Sequence, residues 1–239
     1  LGRGCGSSSW CYSIWASHNW LAGMFPEKAQ QEYWADSADV LSSTSFNPTR
    51  AKVVEIHGGY KLSGHWDFSS GCDAAAWAML WGMTSDGLRW FLIPRSDYTI
   101  EDTWFVSGLR GTGSKDIVIE ETFVPEHRAG NVAAMREGQS PGRELHGSCN
   151  YQIPHTSMLS YTLAAPVLGI AQGALETFEE QVMGRTTYTT GEKLGENSSV
   201  HIRLSEGEAE IHSARLIMKN DGEEVFAQIR RGEMPSISQ

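Results

Sequence analysis

The sequence has little of what marks several common protein classes. Its four cysteines are scattered and form no C-x-x-C pair, so we expect free thiols and no metal site. Positive charge is scarce, with 19 Lys and Arg against 29 Asp and Glu, which argues against a nucleic-acid partner. We expect no apolar run to be long enough for a bilayer and find no signal peptide, which predicts a cytoplasmic protein with no membrane partner.

The sequence also lacks a convincing nucleotide-binding loop. The string GTGSKD at 111–116 resembles a phosphate loop, but such a loop must lead into a helix whose N–H groups bind the anion. Here residues 117–123 alternate between apolar and polar like a strand, so we interpret the string as a tight turn. No G-x-G-x-x-G opens a βαβ unit, which leaves a Rossmann cofactor site unsupported.

Patterns that are present divide the chain into three parts. Residues 5–24 predict a helix lined by small side chains, and 27–34 predict a short second one. From residue 40 the apolar period becomes that of strands, with a hairpin at Gly58-Gly59. The predicted strands are 51–57, 59–66, 74–83, 88–93, 98–106 and 116–124. Roughly 40–125 is therefore expected to be a mostly antiparallel β domain.

The C-terminal part is predicted to be helical. Residues 129–150 are aperiodic and indicate a linker, whereas 156–183 and 200–230 carry apolar residues at helical spacing. Two long consecutive helices suggest half of an antiparallel bundle. The chain starts with Leu1 rather than Met and ends after a helical pattern without a closing element, so we expect a piece of a longer protein.

Two clusters of small polar residues stand at predicted strand ends, SSTSFNPT at 42–49 and HWDFSSG at 65–71. Each alone is typical of a turn. Two such clusters in one sheet could meet, and they would then offer hydroxyls and backbone N–H groups to one ligand. A flavin isoalloxazine needs such groups, because its ring nitrogens and carbonyls form hydrogen bonds on an otherwise apolar plane.

The strings GGYKLSGHWDFSSGCD, FLIPRSDY, DTWFVSGLRGTGSKDIVIEETFVPEHR and LAAPVLGIAQGAL resemble the acyl-CoA dehydrogenase superfamily, most closely its flavin-dependent monooxygenase branch. The resemblance covers nearly the whole chain. It implies an α+β fold in which a central antiparallel β-barrel lies between an N-terminal helical domain and a C-terminal helical bundle. The implied parts are 1–36, the end of the first helical domain; 37–128, the β domain; and 150–239, the start of the bundle.

The resemblance also implies a site for reduced FMN or FAD. It puts the Ser69 hydroxyl beside flavin N5, as a catalytic group, and an arginine at position 185 on the flavin phosphate, often across a subunit interface. A guanidinium suits phosphate because it forms paired charged hydrogen bonds. A solvated surface arginine is an equally good interpretation of Arg185. The implied cofactor-binding residues are Thr44, Ser45, Asn47, Ser69, Ser70, Gly71 and Arg185.

Trp10 and His18 lie two helical turns apart, on roughly one face of the first helix. In the phenol-hydroxylating members a Trp and a His at this separation border the substrate, which implies a catalytic and substrate-binding role for His18 and a substrate-binding role for Trp10. A histidine could hydrogen-bond or deprotonate a phenol near neutral pH. Without the resemblance, a core aromatic and a structural histidine would be the preferred interpretation.

A dehydrogenase of this superfamily needs a carboxylate base over the flavin. The matching position on the first long helix is Leu159, and its neighbours are not acidic either. The other family position for this base falls beyond Gln239. The sequence therefore favours an oxygenase that hydroxylates an aromatic substrate with O₂, and the resemblance implies that this substrate is phenolic.

The resemblance further implies a separate NAD(P)H-flavin reductase as partner and a homotetramer. Two alternatives stay open: an FAD-dependent acyl-CoA dehydrogenase, and a non-catalytic remnant of a flavin-binding fold.

Overall fold

The computed structural model describes residues 1–235. The elements follow the predicted order: helices come first, then the strands, and the two long helices come last. The helices are α1 (Gly6–Ala22), α2 (Glu27–Tyr33), α3 (Val132–Arg136), α4 (Pro141–His146), α5 (His155–Met183) and α6 (Ser198–Arg230). The strands are β1 (Ser42–Ser45), β2 (Ala51–Ile56), β3 (Gly59–Ser69), β4 (Trp77–Thr84), β5 (Gly87–Pro94), β6 (Thr99–Glu101), β7 (Lys115–Pro125) and β8 (Ala129–Asn131).

The strands form two four-stranded sheets, ordered β1-β4-β5-β8 and β2-β3-β7-β6. All pairs are antiparallel except β1 with β4, which run parallel. The predicted hairpin is confirmed: β2 and β3 are joined at 57–58, where Gly58 adopts φ of 80°. No closed barrel is formed by the strands of residues 1–235, so the barrel remains a prediction.

Strand β5 lies between two cores, which explains its continuous apolar run WFLIP. Phe91 and Ile93 belong to the core between the sheets, together with Trp66. Trp90 and Leu92 belong to a second core under the N-terminal helices. A strand buried on both faces loses the apolar–polar alternation of a half-exposed strand. The second core fixes α1 and α2 against the sheet that contains β1.

The residues just before α1 are held against α5 by very close backbone contacts. A Cβ on Gly169 would lie 2.9 Å from Gly2 Cα, and one on Gly173 would lie 2.6 Å from the Arg3 carbonyl oxygen. Glycine is required at both α5 positions because any side chain would push the segments apart. Within α1, the Ser13 hydroxyl donates to the Thr162 carbonyl oxygen at 2.6 Å. This hydrogen bond joins α1 to the first turns of α5.

Helix α5 is long and apolar enough to cross a membrane by length and composition. The expectation that no apolar run reaches this length is therefore wrong, because residues 156–175 contain no charged side chain. Core helices of soluble proteins meet the same criterion, and α5 packs against both α1 and α6. Part of its apolar surface remains exposed, including Val167 at 53%.

Two predicted boundaries were wrong. The segment 129–150 is not a plain linker, since it contains β8, α3 and α4; Asn131 caps α3 by accepting from the Ala134 N–H at 3.0 Å. The strand predicted over 98–106 is restricted to Thr99–Glu101. The four cysteines are free, as expected.

His155, the first residue of α5, is completely buried beside Trp90, with ring centroids 6.4 Å apart. Burial, followed by the charge of Arg136, lowers its pKa from 6.5 to about 4, and a contact with the Met135 backbone offsets only part of this. Between about pH 6.5 and pH 4, His155 is therefore protonated in the unfolded chain but neutral in the folded chain. Stability is lost as the pH falls from about 6.5 towards 4.

We expect His155→Leu to remove this acid sensitivity and to shift the midpoint of acid unfolding to lower pH. The gain at pH 4 should be up to roughly 3 kcal/mol. Circular dichroism during acid titration measures it, with exposed His201→Leu as the control. An acid midpoint equal to that of the wild type would contradict the burial argument.

Candidate functional site

The two polar strand ends converge, together with α1 and the first turns of α5, on a cleft of about 470 Å³. The residues that line it are Trp10, Ile14, Ser17, His18, Thr44, Ser45, Phe46, Asn47, Asp67, Phe68, Ser70, Leu159, Thr162 and Leu163. This set includes six of the predicted site residues. The structure agrees with the central expectation from the sequence: residues of 42–49 and of 65–71 meet at one cleft.

The end of β1 is fastened to the end of β3 through Asp67. The Ser45 hydroxyl donates to the Asp67 carbonyl oxygen at 2.7 Å, and the Asn47 amide donates to the Asp67 carboxylate at 3.2 Å. Thr44 instead donates to the Met79 carbonyl oxygen on the neighbouring strand β4, at 2.7 Å. Arg50 forms an ion pair with the same Asp67 carboxylate. The cleft wall on this side is therefore rigid and its one lining carboxylate is neutralised.

The chain turns sharply after Asp67. Phe68 adopts the left-handed region with φ of 60°, which costs a residue with a Cβ about 1–2 kcal/mol. Its N–H points to the Asp116 carboxylate at 3.4 Å. Gly71 follows with φ of 70°, and a Cβ there would lie 2.7 Å from Trp15 Nε1. Strain of this kind persists where surrounding contacts impose it, and it is common at ligand sites.

His65, Asp67 and Asp116 hold this turn, and of the three only Asp67 lines the cleft. Their ligand atoms lie within 4.8 Å of one another, which is compatible with a metal, but Arg50 already neutralises Asp67. His65 Nε2 lies 2.8 Å from Asp116. Burial alone would raise the pKa of Asp116, yet its hydrogen bonds with His65, Thr103 and the Phe68 N–H outweigh burial and lower it. The arrangement is that of an ion-pair network that stabilises the loop.

The predicted loop residues Ser69 and Ser70 differ in placement. Ser70 lines the cleft; its Oγ accepts from Trp10 Nε1 at 3.2 Å and lies 2.8 Å from the Ser114 hydroxyl. Ser69 is completely buried, and its hydroxyl has no partner among residues 1–235. The indole N–H of Trp15, packed on the loop at Gly71, is likewise unpartnered within those residues. A buried polar atom without a partner is costly, so each is a candidate contact for a bound group.

His18 is buried in the wall of the cleft. Its Nδ1 lies 2.5 Å from the Ser42 carbonyl oxygen, which can only accept, so Nδ1 carries the proton and Nε2 is a lone-pair acceptor. Burial lowers the pKa of His18 to about 4, although the bond to Ser42 opposes this. A neutral imidazole with so low a pKa is a weak base. The geometry therefore supports hydrogen bonding by His18 more than the removal of a substrate proton.

Three predicted site residues, Ser69, Gly71 and Arg185, do not line the cleft. Among the tryptophans, Trp66 is fully buried between the sheets, where its Nε1 donates to the Trp81 carbonyl oxygen at 2.8 Å. Trp15 packs on Gly71 without lining the cleft. Arg185 is exposed beyond the end of α5, whereas the cleft lies at its start, so this chain does not bring Arg185 to its own cleft.

Sequence reasoning missed most of the apolar wall. Phe46 packs edge-on against Trp81 and Trp90, with centroids 5.0 and 5.4 Å away, and Phe68 packs against Trp104. Both phenylalanines occur inside the predicted polar clusters, which is the signal that could have identified them. Leu159, singled out in the sequence because it is not a carboxylate, also lines the cleft.

The fold and the site together define a chain with acyl-CoA dehydrogenase-like architecture and an aromatic cleft suited to a flavin ring. The family model for the C-terminal domain of acyl-CoA dehydrogenases matches residues 161–237. The oxygenase subunit HsaA of a flavin-dependent monooxygenase from Rhodococcus jostii (strain RHA1) is 37% identical over 98% of this chain and 62% of its own length.

Two further similarities point to the same class of protein. The oxygenase component of an FADH(2)-dependent resorcinol hydroxylase from Rhizobium sp. (strain MTP-10005) is 33% identical over 92% of this chain and 56% of its own length. The crystal structure of 3-HSA hydroxylase from Rhodococcus sp. RHA1 superimposes with a TM-score of 0.90 and 35% identity, over 99% of this chain and 62% of that one. The chain is therefore similar, over nearly its whole length, to oxygenase components of flavin-dependent monooxygenases, and it spans about 62% of the length of its HsaA relative.

We expect His18 to remain neutral, with its proton on Nδ1, throughout the range above pH 5. Burial moves its pKa to about 4, below the ordinary 6.5. Long-range ¹H–¹⁵N spectra between pH 8 and 5 measure the tautomer directly, and the exposed His201 provides an internal comparison. A His18 titration with a midpoint near 6.5 would show that the imidazole is not buried in solution.

Proposed function

We propose that this chain carries the active-site region of the oxygenase component of a two-component flavin-dependent monooxygenase that hydroxylates a phenolic substrate. The observation that carries the proposal is the convergence of Trp10, His18 and both strand-end clusters on one apolar cleft. Reduced flavin, when bound, supplies the electrons with which O₂ is activated. The relatives named for FADH(2)-dependent and flavin-dependent hydroxylation support the choice of cofactor.

Different residues of the cleft are proposed to bind the flavin, to exclude water and to contact the substrate. Thr44, Ser45, Asn47 and Ser70 line the cleft at the position proposed for the flavin ring, and the buried loop residues Ser69 and Gly71 flank Ser70 there. Phe46, Phe68 and Leu159 exclude water, which protects an oxygen-activating flavin from wasteful side reactions. The Nε2 lone pair of His18 accepts a hydrogen bond from the substrate hydroxyl, and the Trp10 indole forms the adjacent wall.

The Leu159 side chain separates this proposal from the first alternative, an acyl-CoA dehydrogenase. A dehydrogenase needs a free carboxylate above the ring, whereas Asp67 is the carboxylate that lines the cleft within residues 1–235 and it is paired with Arg50 and Asn47. Reduction of bound flavin by an acyl-CoA thioester would favour the dehydrogenase. Failure to bind flavin in either redox state would favour a non-catalytic remnant.

The remaining assembly is part of the same proposal. A separate NAD(P)H-flavin reductase supplies the reduced flavin, which agrees with the oxygenase-subunit names of the relatives. A homotetramer would let Arg185 bind a flavin phosphate across a subunit interface. The complete β-barrel and C-terminal bundle are proposed from the family fold, and exposed apolar residues of α5 and α6, such as Val167 and Ile217, support further packing there. Four free cysteines fit a cytoplasmic location.

We expect Ser69→Ala to uncouple the reaction, so that less hydroxylated product forms per reduced flavin consumed. The hydroxyl has no partner among residues 1–235, so its removal should leave the folding free energy unchanged or slightly improved. Loss of one hydrogen bond to the flavin should lower the coupling ratio by about two- to tenfold. Ser43→Ala is the matched control, since Ser43 is also buried and unpartnered within that range but lies on β1, outside the loop that contains Ser69. Equal ratios in the two variants would remove Ser69 from the mechanism.

We expect His18→Ala to weaken hydroxylation more than flavin binding, because the imidazole is proposed to contact the substrate. Single-turnover product yield and flavin affinity are measured in parallel. His18→Asn tests the structural part, because its amide can still donate to the Ser42 carbonyl oxygen. Should His18→Ala reduce flavin affinity and product yield to the same degree, the residue would be structural.

A further inference from the structure

Side-chain hydroxyls that line the cleft have their protons committed to the protein. A hydroxyl has one proton to donate and two lone pairs that accept. Four of these hydroxyls donate to backbone carbonyl oxygens: Ser17 to Ile14 at 2.8 Å, Thr44 to Met79 at 2.7 Å, Ser45 to Asp67 at 2.7 Å and Thr162 to Leu159 at 2.8 Å. To a ligand these four groups offer lone pairs only.

The fifth hydroxyl, that of Ser70, is fixed by a chain of hydrogen bonds whose direction is set at both ends. At one end Thr112 Oγ1 donates to the Leu109 carbonyl oxygen at 2.9 Å, which uses its only proton. Ser114, 2.7 Å from Thr112, must therefore donate to it. Ser70, 2.8 Å from Ser114, must then donate to Ser114. At the other end the Trp10 N–H can only donate, and Ser70 accepts it.

The side-chain N–H groups that line the cleft are likewise mostly used within the protein. Trp10 Nε1 is used by Ser70, and His18 Nδ1 is used by the Ser42 carbonyl oxygen, which leaves His18 Nε2 as an acceptor. Asp67 is an acceptor as well. Only Asn47, with a second amide hydrogen, keeps a side-chain N–H uncommitted among the described lining residues. The side chains of the cleft are thus rich in acceptors and poor in donors.

We propose that the cleft selects ligands that bring their own hydrogen-bond donors, and that Thr112 and Ser114 are positioning residues that hold the Ser70 hydroxyl as an acceptor. This inference rests on the proposed function. The reduced flavin ring carries an N–H at N5 that the oxidised ring lacks, and a phenol carries an O–H that its methyl ether lacks. Both ligands thus share the selected chemistry.

The strength of the preference for ligands that carry a hydrogen-bond donor follows from the chain of hydrogen bonds between Thr112, Ser114 and Ser70. For Ser70 to donate to a ligand, the chain must reverse, and Thr112 must then withdraw its proton from the Leu109 carbonyl oxygen. The reversal loses one net hydrogen bond, which corresponds to a preference of about two- to tenfold. Neither Thr112 nor Ser114 lines the cleft, so their substitution changes the direction of the chain without removing a ligand contact.

Dissociation constants of reduced and oxidised FMN, and of phenol and anisole, test the proposal by fluorescence titration under anaerobic conditions. Ser114→Ala frees the Ser70 proton, and Thr112→Val lets Ser114 donate towards Ser70 instead. In both variants we expect the preference for the donor-bearing member of at least one pair to fall by about two- to tenfold. Thr112→Ser retains the hydroxyl and should keep the wild-type preference. The pair that responds identifies which ligand faces Ser70.

Two results would overturn the proposal. One is an unchanged preference in both Ser114→Ala and Thr112→Val, with wild-type binding intact. The other is an equal loss of affinity for both members of a pair, which would show a structural role. A wild-type chain that binds neither flavin nor phenol would contradict the proposed function itself, and the inference with it.

Discussion

The site depends on the way Asp67 joins two strand ends that belong to different sheets. Its carbonyl oxygen accepts from Ser45, and its carboxylate binds Asn47 and Arg50. These contacts hold the end of β1 over the end of β3 and neutralise the charge that would otherwise face an apolar cleft. An unpaired carboxylate there would be costly to bury and would repel an electron-rich ring.

The other features of the cleft are arranged around Asp67. Immediately after Asp67 the chain enters the left-handed turn at Phe68, which the Asp116 carboxylate holds from behind. The turn places Ser70 against Trp10 on α1, and the hydrogen bond from Ser13 to Thr162 joins α1 to the part of α5 that carries Leu159. Three separate parts of the chain thus form one wall, with most of the donor groups already satisfied inside the protein.

The chemistry of the cleft is set by a few side chains, while the fold is shared with enzymes of another reaction. Leu159 lines the cleft without offering an acidic group, and His18 contributes a neutral acceptor nearby. An apolar aromatic pocket without a free carboxylate favours the proposed oxygen chemistry over proton abstraction. We therefore attribute the proposed function to the site and not to the fold.

The sequence by itself determined the order of elements, the hairpin at Gly58 and the two polar clusters, because apolar period and turn chemistry are local properties. The resemblance to a known family, and not spacing alone, indicated Trp10 and His18. Only the tertiary structure decided that Ser70 lines the cleft while Ser69 is fully buried, that Trp66 belongs to the core, and that Arg185 is remote. It alone revealed Thr112 and Ser114. Hydrogen-bond direction and burial depend on partners 44 to 60 residues away, which no local pattern encodes.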